Sequence, residues 1–230
     1  QRQMCIRDRV YMEMIDAMLQ RGKQCIVLIP EIALTYQTLL RFYKRFGDAV
    51  SVMHSRLSAG ERYDQMKRAK RGEVQVMIGP RSALFTPFQK LGLIIIDEEH
   101  ETSYKSDSMP KYHAREVAVH LAEMTDACVV MGSATPSLEA NYRAQQGIYK
   151  KYVLSERIGD AVLPEVQIVD MRQELAGGNS SIFSRHLETA IADRLEKRQQ
   201  VMLFLNRRGI SGFVSCSCLL YTSDAADDKA

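Results

Sequence analysis

The stretch Ile94-Ile95-Ile96-Asp97-Glu98-Glu99-His100 decides how this chain is read. Three β-branched aliphatics in a row read as a strand buried on both faces of a parallel sheet, since a half-exposed strand would alternate with polar residues. Carboxylates directly after such a strand lie at its carboxyl end, where open α/β sheets bind ligands. Asp97 there suits a water-mediated contact to Mg²⁺, and Glu98 beside it suits orienting and deprotonating an attacking water. A solvated acidic turn after a core strand would look the same, so the neighbouring motifs carry the decision.

Outward from this point, strands and helices alternate. Tyr11, Met14, Ile15, Met18 and Leu19 fall at helical spacing, and Gly22 supplies a stop. Residues 25–29 (CIVLI), 49–53, 74–78, 93–96 and 128–131 read as strands. Helices are expected over 36–46, from the capping box at Ser58 and Glu61 to about Gly72, over 114–124, and from a Thr135-Pro136 start. This order predicts an α/β fold with a doubly wound parallel sheet. Beyond Gly147 the rhythm changes. Residues 149–154 read as strand-like, 157–164 as a crossing segment, 166–169 as a strand and 176–181 (AGGNSS) as a loop. A helix over 184–198 then feeds a strand over 201–205, which would open a second α/β unit.

The bulk numbers exclude little. The chain has 230 residues, 46% hydrophobic and 26% charged, ordinary for a globular protein with one large domain or two modest ones. A net charge of +3 is compatible with a polyanionic partner without identifying one. No apolar run approaches membrane-spanning length, so no membrane partner is expected. Cys25 and Cys128 sit in apolar runs and read as small buried hydrophobes. Without a disulfide framework, a reducing cytoplasm is the expected location.

The two ends read differently from the interior. Residues 1–8 (QRQMCIRD) and 218–230 (CLLYTSDAADDKA) look like tails. Residues 4–8 can be encoded by ATG TGT ATA AGA GAC, and residues 218–223 by TGT CTC TTA TAC ACA TCT. The reverse complement of the second contains the first, as translated sequencing adapter would. The expected division is therefore a tail over 1–9, a first lobe over 10–147, a linker and the start of a second lobe over 148–217, and a tail over 218–230. The genuine segment would be cut from a longer protein.

Four strand ends carry loops suited to phosphate chemistry. In Pro30-Glu31-Ile32-Ala33-Leu34-Thr35, free amides at a helix start and the Thr35 hydroxyl suit a nucleic-acid phosphate. In Gly79-Pro80-Arg81-Ser82, Gly allows close backbone approach while Arg81 and Ser82 suit a phosphate oxygen. Gly132-Ser133-Ala134-Thr135-Pro136-Ser137 offers hydroxyls to the acidic loop. Between Glu101 and Arg115, Tyr104 and Tyr112 suit base stacking while Lys105, Lys111 and Arg115 suit the backbone of a single strand. Helix caps, surface turns and a polar loop would account for each of these taken singly.

Together these motifs resemble those of superfamily 2 helicases, and within them the bacterial replication-restart helicases. LIPEIALT (28–35), IGPRSALF (78–85), IDEEHETSYK (96–105), KYHARE (111–116), GSATPS (132–137) and LFLNRRG (203–209) stand in that family's order. The resemblance implies a RecA-like first helicase lobe plus the start of a second, ATP and Mg²⁺ as cofactors, and single-stranded and forked DNA as partners. Primosome and single-strand-binding proteins would be further partners. It implies that Asp97 assists Mg²⁺, Glu98 activates water, and His100 couples to Ser133 and Thr135. The DNA contacts would come from Pro30, Glu31, Thr35, Arg81, Ser82, Tyr104, Lys105, Tyr112 and Arg115, and Asn206, Arg207 and Arg208 would open the second lobe.

Two departures bear on activity. The family's Gly-x-x-x-x-Gly-Lys-Thr phosphate loop does not occur in this sequence, so the segment alone is expected to be inactive. Zn²⁺ belongs to the intact family members, and only Cys216 matches one of their paired cysteines; structural zinc needs four ligands. Two rival functions stay open at this point. One is a non-catalytic nucleic-acid-binding module. The other is a metal-dependent hydrolase built from Asp97, Glu98, Glu99, His100 and His113.

Overall fold

A computed structural model describes residues 6–31, 33–155, 165–204, 213–216 and 221–224. The chain divides into two compact units, Gln1–Ala161 and Val162–Ala230. In the first, strands β1 (Gln24–Leu28), β2 (Val50–Val52), β3 (Val76–Gly79), β4 (Leu91–Asp97) and β5 (Cys128–Gly132) form one sheet in the order β2-β3-β1-β4-β5. Every pairing in it is parallel. Helix α1 (Ile6–Gln20) precedes β1, helices α2 (Tyr36–Phe46), α3 (Ala59–Lys70) and α4 (Ala114–Thr125) lie in the crossovers, and α5 (Leu138–Gln145) follows β5. The expected doubly wound α/β architecture is what forms.

The isoleucine run shows why. Ile94, Ile95 and Ile96 are 0%, 0% and 1% exposed, because alternate side chains enter two different cores. Ile95 joins Tyr11, Ile15, Val27, Phe42 and Val76 on one face of the sheet. Ile94 and Ile96 join Ile26, Met77, Leu84, Tyr104 and Ala118 on the other. Each such side chain contributes on the order of 2 kcal/mol relative to exposure. Since the strands are parallel, the loops after β1, β3, β4 and β5 all leave from one edge of the sheet.

Local chemistry sets the helix ends. Ser58 caps α3 with the reciprocal Glu61 contact that the sequence announces. Gly22, after α1, holds a φ of 68°, a conformation open to glycine. Helix α1 starts at Ile6, within the segment 1–9 expected to be tail. Two expectations are corrected in this unit. Helix α5 is capped by Ser137, not Thr135, because the Ser137 hydroxyl accepts the Ala140 amide and Thr135 faces His100. Cys128 is exposed, not buried, as β5 lies at the rim of the sheet; Cys25 is buried, which pushes its thiol up to about 12.

The second unit holds α6 (Met171–Ala176), α7 (Arg185–Glu196, capped by Ser184) and the antiparallel pair β6 (Phe213–Cys216) and β7 (Tyr221–Asp224). The helix expected over 184–198 is present. Residues 166–169 and 201–204 are not strands, nor are residues 149–154 in the first unit. A strand exists only through its neighbour, and among the described residues none lies beside them. The expected crossing segment 157–164 and the trio Asn206, Arg207 and Arg208 lie outside the described residues.

Candidate active site

Asp97 is the last residue of β4 and sits in register with Gly132 of β5. Its carboxylate accepts the Tyr11 hydroxyl at 3.1 Å and lies 3.0 Å from the Arg7 guanidinium. Burial pushes the Asp97 carboxyl above its ordinary range, while Arg7 and Tyr11 pull the other way. Glu98 follows with a φ of 47° and also pairs with Arg7. A non-glycine residue keeps such a conformation only where its surroundings impose it. The sequence reading missed Arg7 and Tyr11. Their i, i+4 spacing on one helix face is the signal that would have found them.

His100 bridges to the loop after β5. Its Nδ1 lies 2.7 Å from Ser133 Oγ and 3.6 Å from Glu98, and its Nε2 lies 3.4 Å from Thr135 Oγ1. Ser133 in turn accepts the Thr135 amide at 3.0 Å. Asp97, Glu98, His100, Ser133 and Thr135 are thus gathered at one edge of the sheet by two adjacent parallel strands.

Glu99 points the opposite way, into the protein. Its side chain is 2% exposed and meets Arg115, 7% exposed, at 3.3 Å. It also accepts the Ser137 amide at 2.6 Å and the Ser137 hydroxyl at 3.0 Å, while Arg115 donates to Ser137 Oγ at 2.8 Å. The sequence reading placed Arg115 on a nucleic-acid backbone, and this is corrected. Its guanidinium is buried in a network in which every charge has a partner. The Ala114, Ala118 and Ala122 stripe marks the inward face of α4 and was the available clue.

Tyr104 is corrected as well. It is 1% exposed, and its hydroxyl lies 2.6 Å from the Asp97 carbonyl and 3.1 Å from the Leu28 carbonyl. A ring so enclosed has no face to offer a base. Arg81 donates through Nη1 to the carbonyls of Ser103 (2.8 Å) and Lys105 (2.6 Å), so it holds protein backbone. Ser82 and Lys105 are exposed. Tyr112 is partly buried and meets Phe85 edge-to-face at 5.3 Å; Phe85, 54% exposed, went unnoticed in the sequence. Pro30 is buried and Glu31 exposed, and the Thr35 hydroxyl caps α2 by accepting the Thr38 amide at 3.3 Å.

His113 caps α4, its Nδ1 accepting the Arg115 amide at 3.2 Å. Among the described residues no three His, Cys, Asp or Glu side chains gather to hold a metal. Cys216 ends β6, and its side chain lies outside the described residues. Among the described residues no helix is long and apolar enough to cross a membrane.

Comparison with known proteins adds an independent line. A family model described as DEAD/DEAH box helicase matches residues 10–143. The replication restart protein PriA of Bacillus subtilis (strain 168) is 51% identical over 210 residues, covering 91% of this chain and 26% of that protein. Its namesake in Synechocystis is 50% identical over 218 residues, covering 92% of the chain and 26% of that protein. The Haemophilus influenzae protein of that name is 43% identical over 211 residues, with coverages of 91% and 28%. The chain therefore spans 26–28% of the length of these relatives.

Proposed function

Because the chain belongs to the DEAD/DEAH box helicase family, we propose that it is part of an ATP-dependent DNA helicase of the replication-restart type, moving on single-stranded DNA. The observation that carries this is the acidic turn at the end of β4, set beside the Ser133–Thr135 loop through His100. Similarity to proteins named for replication restart supports the biological setting, with forked DNA and primosome proteins as partners and the bacterial cytoplasm as location.

The donor chemistry fits a magnesium nucleotide in part. Asp97 and Glu98 are oxygen donors of the kind a hard divalent cation takes, with Asp97 suited to hold it through water. Bound with its Mg²⁺, ATP supplies the phosphoanhydride to be cleaved. Glu98 would take a proton from water, and His100 would tie that carboxylate to Ser133 and Thr135. In this chain Arg7 is paired with both carboxylates, so these partners must exchange for the cation to be held. Cys216 would offer zinc one thiolate where a structural site takes four ligands.

A second reading applies to the chain by itself. No Gly-x-x-x-x-Gly-Lys-Ser/Thr run occurs in its 230 residues. Binding of nucleic acid without hydrolysis is then its expected behaviour, with Ser82, Lys105 and Tyr112 the accessible candidates. One experiment separates the readings. The chain is assayed for ATP hydrolysis alone and grafted into the flanking sequence of its Bacillus subtilis relative. The graft is expected to hydrolyse ATP only with single-stranded DNA and to lose about a hundredfold or more on Glu98→Gln. Undiminished hydrolysis in that variant sinks the role given to Glu98, and hydrolysis by the ungrafted chain sinks the second reading.

A further inference from the structure

Helix α1 lays an apolar face on the sheet, with Met12 and Ile15 3% and 0% exposed. Tyr11 belongs to that face and is 4% exposed, packed in one core with Val27, Phe42 and Ile95. Its ring is thus a core group, and phenylalanine would fill the same space. The hydroxyl is what needs an account, because a buried phenol must find a partner. It finds the carboxylate of Asp97, donating to Oδ1 at 3.1 Å. The same hydroxyl lies against Gly132, which stands opposite Asp97 in the register of β4 and β5. A Cβ at Gly132 would take the place of the Tyr11 oxygen, so the bare glycine is what lets the hydroxyl through to the carboxylate.

We infer that Tyr11 is a positioning residue for Asp97, fixing Oδ1 and leaving Oδ2 to a water of the Mg²⁺ shell, an assignment that rests on the cation role proposed for Asp97 above. Arg7 lies 3.0 Å from the same Oδ1, and among the described residues Oδ2 accepts no hydrogen bond. The two partners of Oδ1 differ in kind. A guanidinium repels an incoming cation and has to leave, whereas a phenol is neutral, stays in place and leaves the carboxylate its charge. Its bond to an ionised acceptor is of the strong class, enough to hold one rotamer of a short side chain. A partner behind a ligating carboxylate orients it, and loss of such a partner weakens metal binding by about 10–100-fold.

Mn²⁺ binding to this chain, followed by the electron paramagnetic resonance of the free ion, tests the assignment. Arg7→Ala serves as the background, since it removes the competing guanidinium. Adding Tyr11→Phe, which keeps the buried ring, is expected to raise the half-saturating Mn²⁺ concentration about tenfold. Ile15→Val, on the same face of α1, is the control for stability and should leave Mn²⁺ affinity unchanged. Gly132→Ala keeps Tyr11 but drives a methyl onto its hydroxyl, and should weaken Mn²⁺ binding in the same direction. The carboxyl carbon resonance of Asp97, read without any metal, is expected to move in Tyr11→Phe and in Gly132→Ala but not in Ile15→Val.

Equal Mn²⁺ affinity with and without the Tyr11 hydroxyl overturns the positioning role and leaves the cation role of Asp97 standing. An equal loss in Ile15→Val also overturns it, since that would be ordinary loss of stability. Failure of the Arg7→Ala chain to bind Mn²⁺, or binding that survives Asp97→Asn, overturns the cation role itself and the positioning role with it. An unmoved Asp97 resonance in Tyr11→Phe would mean that the two side chains do not meet in solution, which is equally fatal.

Discussion

His100 and Ser133 meet across two adjacent strand ends, with Nδ1 and Oγ 2.7 Å apart. The parallel register of β4 and β5 makes this possible, since it sets Asp97 opposite Gly132 and starts both loops at the same height. Ser133→Ala removes this bond and the acceptor of the Thr135 amide together. A loss of about 1–2 kcal/mol is expected in denaturant unfolding, with a shifted His100 ring-nitrogen resonance. An unmoved resonance would mean that the two side chains do not meet in solution.

The isoleucine strand is expected to dominate stability. Ile95 is 0% exposed and lies in register with Val27 and Val130. Ile95→Ala should cost about 2–5 kcal/mol, through lost burial and a cavity between fixed strands. Val130→Ala, on the half-exposed rim strand, should cost distinctly less. Urea midpoints of the two variants compare these directly, and equal losses would contradict the placement of β5 at the rim.

Gly79 closes β3 where the chain turns into the Gly-Pro-Arg-Ser loop. A Cβ there would collide with the backbone oxygen of Met53, which belongs to the neighbouring chain path and cannot rotate away. Gly79→Ala is therefore expected to destabilise the chain by about 1–3 kcal/mol. It should also displace Arg81 from the Ser103 and Lys105 carbonyls. A fully stable variant would show that β3 and Met53 lie further apart.

His113 should make stability depend on pH. Burial, and then the charge of Arg115, hold its pKa below the ordinary 6.5. The unfolded chain thus takes up this proton more readily than the folded one. The contribution is complete above the ordinary value and is lost progressively as pH falls through the window beneath it. Protonation also removes the acceptor that caps α4. Unfolding midpoints at about pH 7.5 and about pH 5.5 should therefore differ by less in His113→Asn, which retains a capping oxygen. An unchanged difference would place the titrating group elsewhere.

What the sequence determined by itself was the first unit's strand and helix order, its parallel winding and the acidic turn at a strand end. Those properties rest on contiguous apolar runs and on caps a few residues apart, such as Ser58 with Glu61. Such signals are local, and neighbours along the chain carry them. Tertiary structure alone decided what the polar side chains of the site do. Tyr104 reads as a stacking residue until the carbonyl of Leu28, 76 positions away, is found beside it. Arg115 reads as a phosphate contact until it meets Glu99 in the core. Arg7, in the stretch expected to be tail, meets Asp97 and Glu98 only through the folding of α1 onto β4. Residues 166–169 and 201–204, apolar enough for strands, have no neighbour to pair with among the described residues. The physical reason is the same in each case: burial preference is written in a residue and its near neighbours, whereas a hydrogen-bond partner or a paired strand comes from whatever the fold brings alongside.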